Sequence, residues 1–167
     1  NDIWARTFHS ACVRILRRDL ERLGLGFTNS FTIYDTDDSR RVIRDILKDM
    51  SLDEKEYQPR SVLAIISNAK DEDLSPEAFA ARARASRDWR MPKIAEIYAG
   101  YTRRLREANA LDFDDIILHT VHLLQQSEEV RGYYQKKFRY VLIDEYQDTN
   151  HLQYLLARLL AGGYENI

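Results

Sequence analysis

Cysteine is almost missing from this chain of 167 residues: Cys12 stands alone. An intrachain disulfide is therefore excluded, and so is a structural zinc site built on several cysteines. The pattern fits a reducing, cytoplasmic compartment. Also missing is any uninterrupted apolar run near the ~18–20 residues that a membrane span needs. No charged-then-apolar signal segment opens the chain. Excess charge of one sign is absent too: 25 Lys and Arg face 27 Asp and Glu, for a net charge of −2. That excludes a polycationic tail but not a local basic face, because a net value hides segregation. No internal repeat or low-complexity tract is visible. What is present is 44% hydrophobic residues, enough apolar material for a core. The length suits one domain or two small pieces. The opening Asn1-Asp2-Ile3-Trp4 reads like the middle of a protein, so an excised fragment is expected.

The spacing of apolar residues predicts a mostly helical chain with two or three short strands. Residues 3–8 are short and apolar-rich and are expected to end a strand. Cys12, Ile15, Leu16, Leu20 and Leu23 recur at helical spacing, with Gly24 and Gly26 as a stop. Phe31–Tyr34 alternates as a short strand. Thr36 and Asp37 are expected to cap a helix through Val42, Ile43, Ile46 and Leu47. Pro59, Ser75-Pro76-Glu77 and Pro92 each suit a helix start. Lys70 to Ser75, acidic and polar, is the one stretch resembling a linker. Asp112 is expected to cap a helix through Ile116, Ile117, Val121 and Leu124. Phe138–Ile143 is a strand candidate whose apolar run, Tyr140–Ile143, fits a buried parallel strand, and a last helix follows Asn150.

The sharpest local feature is that strand ending in Asp144-Glu145. In open α/β sheets, ligands bind beyond the carboxyl ends of strands. Two adjacent carboxylates there are costly unless a cation or a proton transfer uses them. The arrangement suits a nucleotide hydrolase, in which one carboxylate holds Mg²⁺ and its neighbour activates water. A second feature lies between Arg82 and Arg106. Eight basic residues (Arg82, Arg84, Arg87, Arg90, Lys93, Arg103, Arg104, Arg106) face two acids, Asp88 and Glu96, and Trp89 sits among them. Charge for phosphates interleaved with a ring for bases is what a nucleic-acid face needs. The alternative is a solvated helix face with Trp89 packed inward. His119 and His122 lack a third ligand nearby and make a poor metal site.

Ile143-Asp144-Glu145-Tyr146-Gln147-Asp148-Thr149-Asn150 closely resembles motif II of the superfamily 1 DNA helicases of the UvrD/PcrA/Rep type. Arg6-Thr7-Phe8-His9-Ser10 is similar to the family's Thr-Phe-His motif. Leu111-Asp112-Phe113-Asp114-Asp115 is similar to its segment re-entering the motor domain. The three fall in the family's order, and the resemblance covers essentially the whole chain. It is closest to the PcrA branch, which has Tyr at the position of Tyr146. The resemblance implies an α/β fold, predominantly α-helical: a partial RecA-like parallel-sheet motor domain, 1A, with an inserted helical 1B subdomain. Residues 1–34 and 111–167 would belong to 1A and residues 35–110 to 1B. It further implies ATP and Mg²⁺ as cofactors of the full-length protein, with Asp144 at the metal, Glu145 as general base and Gln147 in the surrounding polar network. Thr7, Phe8 and His9 would lie on the single-stranded DNA side, and Arg84, Arg87, Trp89 and Arg90 on a basic DNA face of 1B.

The departures carry equal weight. The pattern Gly-x-x-x-x-Gly-Lys-Ser/Thr is absent, since no glycine here is followed by Lys. The expected whole is an ATP-dependent 3′–5′ helicase acting on single-stranded DNA and single/double-strand junctions, with accessory repair or replication proteins. No ATPase and no bound nucleotide are expected of the 167 residues alone. Exposed strand edges make self-association an expectation. Two other readings stand beside it: part of a helicase–nuclease of recombinational repair, and a DNA-binding module.

Overall fold

The computed structural model of the chain describes residues 2–137 and 151–161, with residues 2–7 described in backbone only. The expected strand Phe138–Ile143 lies outside the described residues. The chain divides into two compact units: Asn1–Phe31 with Phe113–Ile167, and Thr32–Asp112.

The first unit is helical among its described residues. Helix α1 runs Asp2–Asp19 and tightens into a 3₁₀ turn, Leu20–Leu23. Gly24, left-handed at φ 65°, ends it as expected, since glycine takes that backbone at the least steric cost. The strand expected at residues 3–8 is instead the first part of α1. Six apolar-rich residues cannot be assigned by periodicity alone. No proline or glycine interrupts Asp2–Asp19, so the helix satisfies its own backbone groups without a neighbouring strand.

Helix α6 (Phe113–Gln126) packs against α1, against α7 (Glu128–Lys137) and against α8 (His151–Ala161). The shared core holds Phe8, Ile15, Leu16, Val121, Leu124, Tyr134 and Leu156. Cys12 is buried there too, and burial pushes its thiol up to about 12, so it is an inert small hydrophobe. Helix α7 was not anticipated. Its only buried side chains are Val130 and Tyr134, too few to show a period. Its end signals are clear in retrospect. Ser127 Oγ accepts from Val130 N at 3.2 Å, Glu128 and Glu129 begin the helix, and Lys136 and Lys137 end it. The loop after α1 is held by Arg17, whose guanidinium lies 3.8 Å over the Phe31 ring and donates to the carbonyls of Asn29 and Phe31.

The second unit begins and ends on a two-strand parallel sheet. Thr32–Ile33 (β1) pairs with Ala110–Leu111 (β2), Thr32 opposite Ala110 and Ile33 opposite Leu111. Between them run α2 (Thr36–Asp49), α3 (Pro59–Asp71), α4 (Pro76–Arg84) and α5 (Met91–Glu107). Ile43, Leu47, Val62, Ile66, Phe79 and Ile97 meet in its core. Pro59, Pro76 and Pro92 sit in first turns, as expected, and Ser75 Oγ accepts from Ala78 N at 3.1 Å. The expected linker is shorter than its polarity suggested. Lys70 and Asp71 belong to α3, and Lys70 is buried.

The cap of α2 is Asp35, not Thr36 or Asp37. Asp35 keeps the extended backbone a cap needs, and Thr36 already opens the helix. Asp38 N donates to Asp35 Oδ1 at 2.8 Å, and Asp35 N donates to Asp38 Oδ2 at 3.1 Å, a reciprocal capping box. The amide of Asp38 chiefly holds the Asp35 carboxyl below the usual range. A depressed acid contributes stability above its unfolded pKa and loses it as pH falls through the folded value. Asp35→Ala is therefore expected to lower the melting temperature by a few degrees at pH 7 and by less near pH 2. Thermal melts of both proteins at the two pH values check this.

Candidate nucleic-acid interface

Asp144, Glu145 and Gln147 lie outside the described residues. The Thr-Phe-His residues fall on α1 rather than at a strand end, and the Thr7 side chain is not described. Phe8 is 4% exposed, so its ring packs into the core and presents no face to a base. His9 is half-buried and meets Phe113 edge-on, with ring centroids 5.8 Å apart. Phe113 is 46% exposed, so an aromatic ring stands open beside the imidazole. The sequence reading placed Phe113 only in a motif. Its exposure at the first position of α6 follows from the packing of that helix through Ile116, Ile117 and Val121 instead.

In the second unit, Arg84 ends α4, and Arg87 and Trp89 follow on the connection to α5. Trp89 is 67% exposed, which overturns the inward-packed alternative. Its ring stands edge-on to buried Tyr57, with centroids 6.2 Å apart. Arg90 fixes this connection. Its Nη2 donates to Asp88 Oδ2 at 2.9 Å, its Nε to Asp88 Oδ1 at 3.2 Å and its Nη1 to the Glu56 carbonyl at 3.2 Å. Asp88 N in turn donates to Ser86 Oγ at 3.1 Å. The Arg90 guanidinium is the main reason the Asp88 carboxyl sits below its ordinary range. Arg90 thus holds the backbone on either side of Trp89.

The fold also spends some of the positive charge that the sequence counts. Arg82 pairs with Glu72 at 2.8 Å, Lys93 with Glu96 at 3.1 Å, and Arg104 with Asp49. Glu72 and Asp49 come from outside the 82–106 stretch, so a local count misses them. Arg84, Arg87 and Arg103 are exposed and make no ion pair among the described residues. An unpaired guanidinium keeps its planar set of N–H donors for a phosphate. Arg84 and Arg87, close in sequence to the open indole of Trp89, can bind a polyanion that carries bases, and Arg103 adds a cation about three turns farther along α5. Among the described residues, no three His, Cys, Asp or Glu side chains gather as metal ligands, and no helix is long and apolar enough to cross a membrane.

Comparison with known proteins places these features in a class. The family model of the UvrD/REP helicase N-terminal domain matches residues 1–167, and the chain belongs to that family. Among individual relatives, it is 46% identical over 165 residues to the ATP-dependent DNA helicase PcrA of Staphylococcus aureus (strain COL), covering 99% of this chain and 22% of that protein. The PcrA helicase of Bacillus subtilis (strain 168) is 46% identical over 167 residues, covering 100% of this chain and 22% of the relative. That of Staphylococcus epidermidis is 46% identical over 165 residues, again 99% and 22%. The chain thus spans about a fifth of the length of these relatives.

Proposed function

We propose that the chain is part of the first motor domain of an ATP-driven helicase that moves 3′ to 5′ along single-stranded DNA and opens duplexes at junctions. The observation that carries this reading is the family match over all 167 residues, in a chain that holds Asp144-Glu145 at the end of an apolar run. In this reading Asp144 is the residue for Mg²⁺. The ion, when present with ATP, neutralises charge developing on the phosphates. Glu145 takes the proton of the attacking water, and Gln147 belongs to the polar network around that water. His9 donates to phosphate from α1, on which Phe8 is buried in the core and Thr7 also lies. The reading includes a cytoplasmic setting, and repair or replication proteins as partners of the whole protein.

The second unit contributes binding. Arg84, Arg87 and Arg103 supply phosphate contacts, Trp89 stacks, and Arg90 keeps Trp89 in place. A module that only binds DNA is the second reading, and the exposed Trp89 is the observation that favours it.

Binding of the 167-residue chain to a single-stranded oligonucleotide, titrated across salt concentration, tests the DNA part. Each phosphate contact contributes about 0.7 to the slope of log K against log salt for single strands. Replacing Arg84, Arg87 and Arg103 together by Gln is expected to flatten the slope by ~2, at that value per contact. Arg82→Gln, which removes a cation already paired, leaves the slope nearly unchanged. Equal effects from the paired and unpaired arginines would remove this surface from the account.

A further inference from the structure

The second unit contains a buried polar cluster that none of the proposed chemistry uses. Lys70 Nζ, on the last turn of α3, lies 2.8 Å from Asp112 Oδ2, and both residues are about 5% exposed. The Tyr101 hydroxyl on α5 is 2.7 Å from the same carboxylate oxygen and 2.9 Å from Ser39 Oγ on α2. A phenol has one proton. It goes to the carboxylate, and the Ser39 hydroxyl donates to Tyr101. The Lys70 ammonium also lies 4.9 Å from the centre of the Tyr101 ring. One connected set of side chains thus joins α2, α3, α5 and the residue that follows β2.

The location is informative. Ser39 lies in the first turns of the helix after β1, and Asp112 comes immediately after β2. The cluster therefore lies just past the carboxyl ends of both strands of the two-residue sheet on which the chain enters and leaves this unit. That sheet is weak by itself. It is parallel, each strand is two residues long, and the bonds Thr32 N to Asn109 O (2.9 Å) and Tyr34 N to Leu111 O (2.8 Å) lie at its margins. Isolated strand pairs of this size are not stable in water, and parallel pairing is slightly weaker per residue than antiparallel. A unit inserted into another needs its two chain ends side by side. A buried ion pair is a poor source of net stability, because desolvation offsets most of its attraction. Its distinctive property is that it tolerates one geometry only.

We propose that the Lys70–Asp112–Tyr101–Ser39 cluster is a latch that holds the entering and leaving strands of the 32–112 unit in register, so that this unit closes on itself where it joins the rest of the chain. Asp112 is the positioning residue at its centre. Tyr101 joins the two sides, and Lys70 neutralises the carboxylate that both sides share.

Amide hydrogen exchange on the 167-residue chain tests this, with Thr32 and Tyr34 as reporters of the strand pair and Ile46 and Ile66 as reporters of the α2 and α3 core. Two variants are compared with the parent chain. Tyr101→Phe breaks the link between the sides but keeps the ion pair. The paired change Lys70→Met with Asp112→Leu removes the charges together and keeps the site filled. In both, the latch requires exchange at Thr32 and Tyr34 to rise by about tenfold or more while Ile46 and Ile66 change by less than about twofold. A uniform rise at all four amides would mean that the cluster serves global stability only, and no rise at Thr32 and Tyr34 would mean that the strands hold themselves. Either result overturns the proposal.

Discussion

Glu145→Gln in the full-length protein is expected to lower the steady-state ATPase rate by about 10²–10⁴-fold, the usual cost of losing a general base. The amide keeps the size and hydrogen-bonding reach of the carboxylate but cannot take a proton at neutral pH. ATP affinity should therefore survive, because nothing that binds the phosphates has changed. Rate loss with affinity kept separates a base from a structural acid. Asp144→Asn should behave differently. If Asp144 holds Mg²⁺ as proposed, the defect of this variant is expected to ease as Mg²⁺ is raised, whereas that of Glu145→Gln is not. A Glu145→Gln enzyme with near-normal turnover would take the base from this residue.

Lys70→Met is expected to be the most destabilising single change in the 32–112 unit. It removes the ammonium that lies 2.8 Å from the buried Asp112 carboxylate. Breaking a buried pair from one side costs about 3–5 kcal/mol. For a unit of this size, that is a fall in melting temperature of at least ~10 °C. The paired replacement Lys70→Met with Asp112→Leu should recover most of the loss, because no charge then remains to be solvated. A thermal melt of the single and double variants reads the difference directly. Equal losses in both would show that packing, rather than the unpaired charge, sets the cost.

Much of the helical frame was legible because its signals are local. Apolar side chains at three- and four-residue spacing marked α2, α3, α5, α6 and α8, and Pro59, Ser75-Pro76 and Gly24 marked ends that the structure keeps. Errors came where a signal was short or the partner distant. Residues 3–8 carry too few positions to separate a strand from a helix, and α7 buries only Val130 and Tyr134. Lys70 looked like linker because its polarity is local and its partner, Asp112, is 42 residues away. The basic stretch around Trp89 looked more positive than it is because Glu72 and Asp49 arrive from other parts of the unit. The candidate chemistry shows the same division. Asp144 and Glu145 are readable as a motif without any geometry, since adjacent carboxylates after an apolar run are a sequence pattern. The surface around Trp89 needed the fold, because exposure and charge pairing decide which arginines are free to bind. Arg90 fixes the loop beside Trp89, and Arg103 joins Arg84 and Arg87 as exposed arginines of the 82–106 stretch with no ion pair among the described residues.

Whether ATP turnover answers to DNA separates a translocase from a binding module. The measurement is the steady-state ATPase of the full-length protein with and without single-stranded DNA. The proposed translocase predicts strong stimulation by DNA, abolished when Glu145 is Gln. Turnover that is the same with and without DNA would leave an ATPase and contradict the translocase. No turnover under either condition would leave a protein that binds DNA through Trp89 and its unpaired arginines.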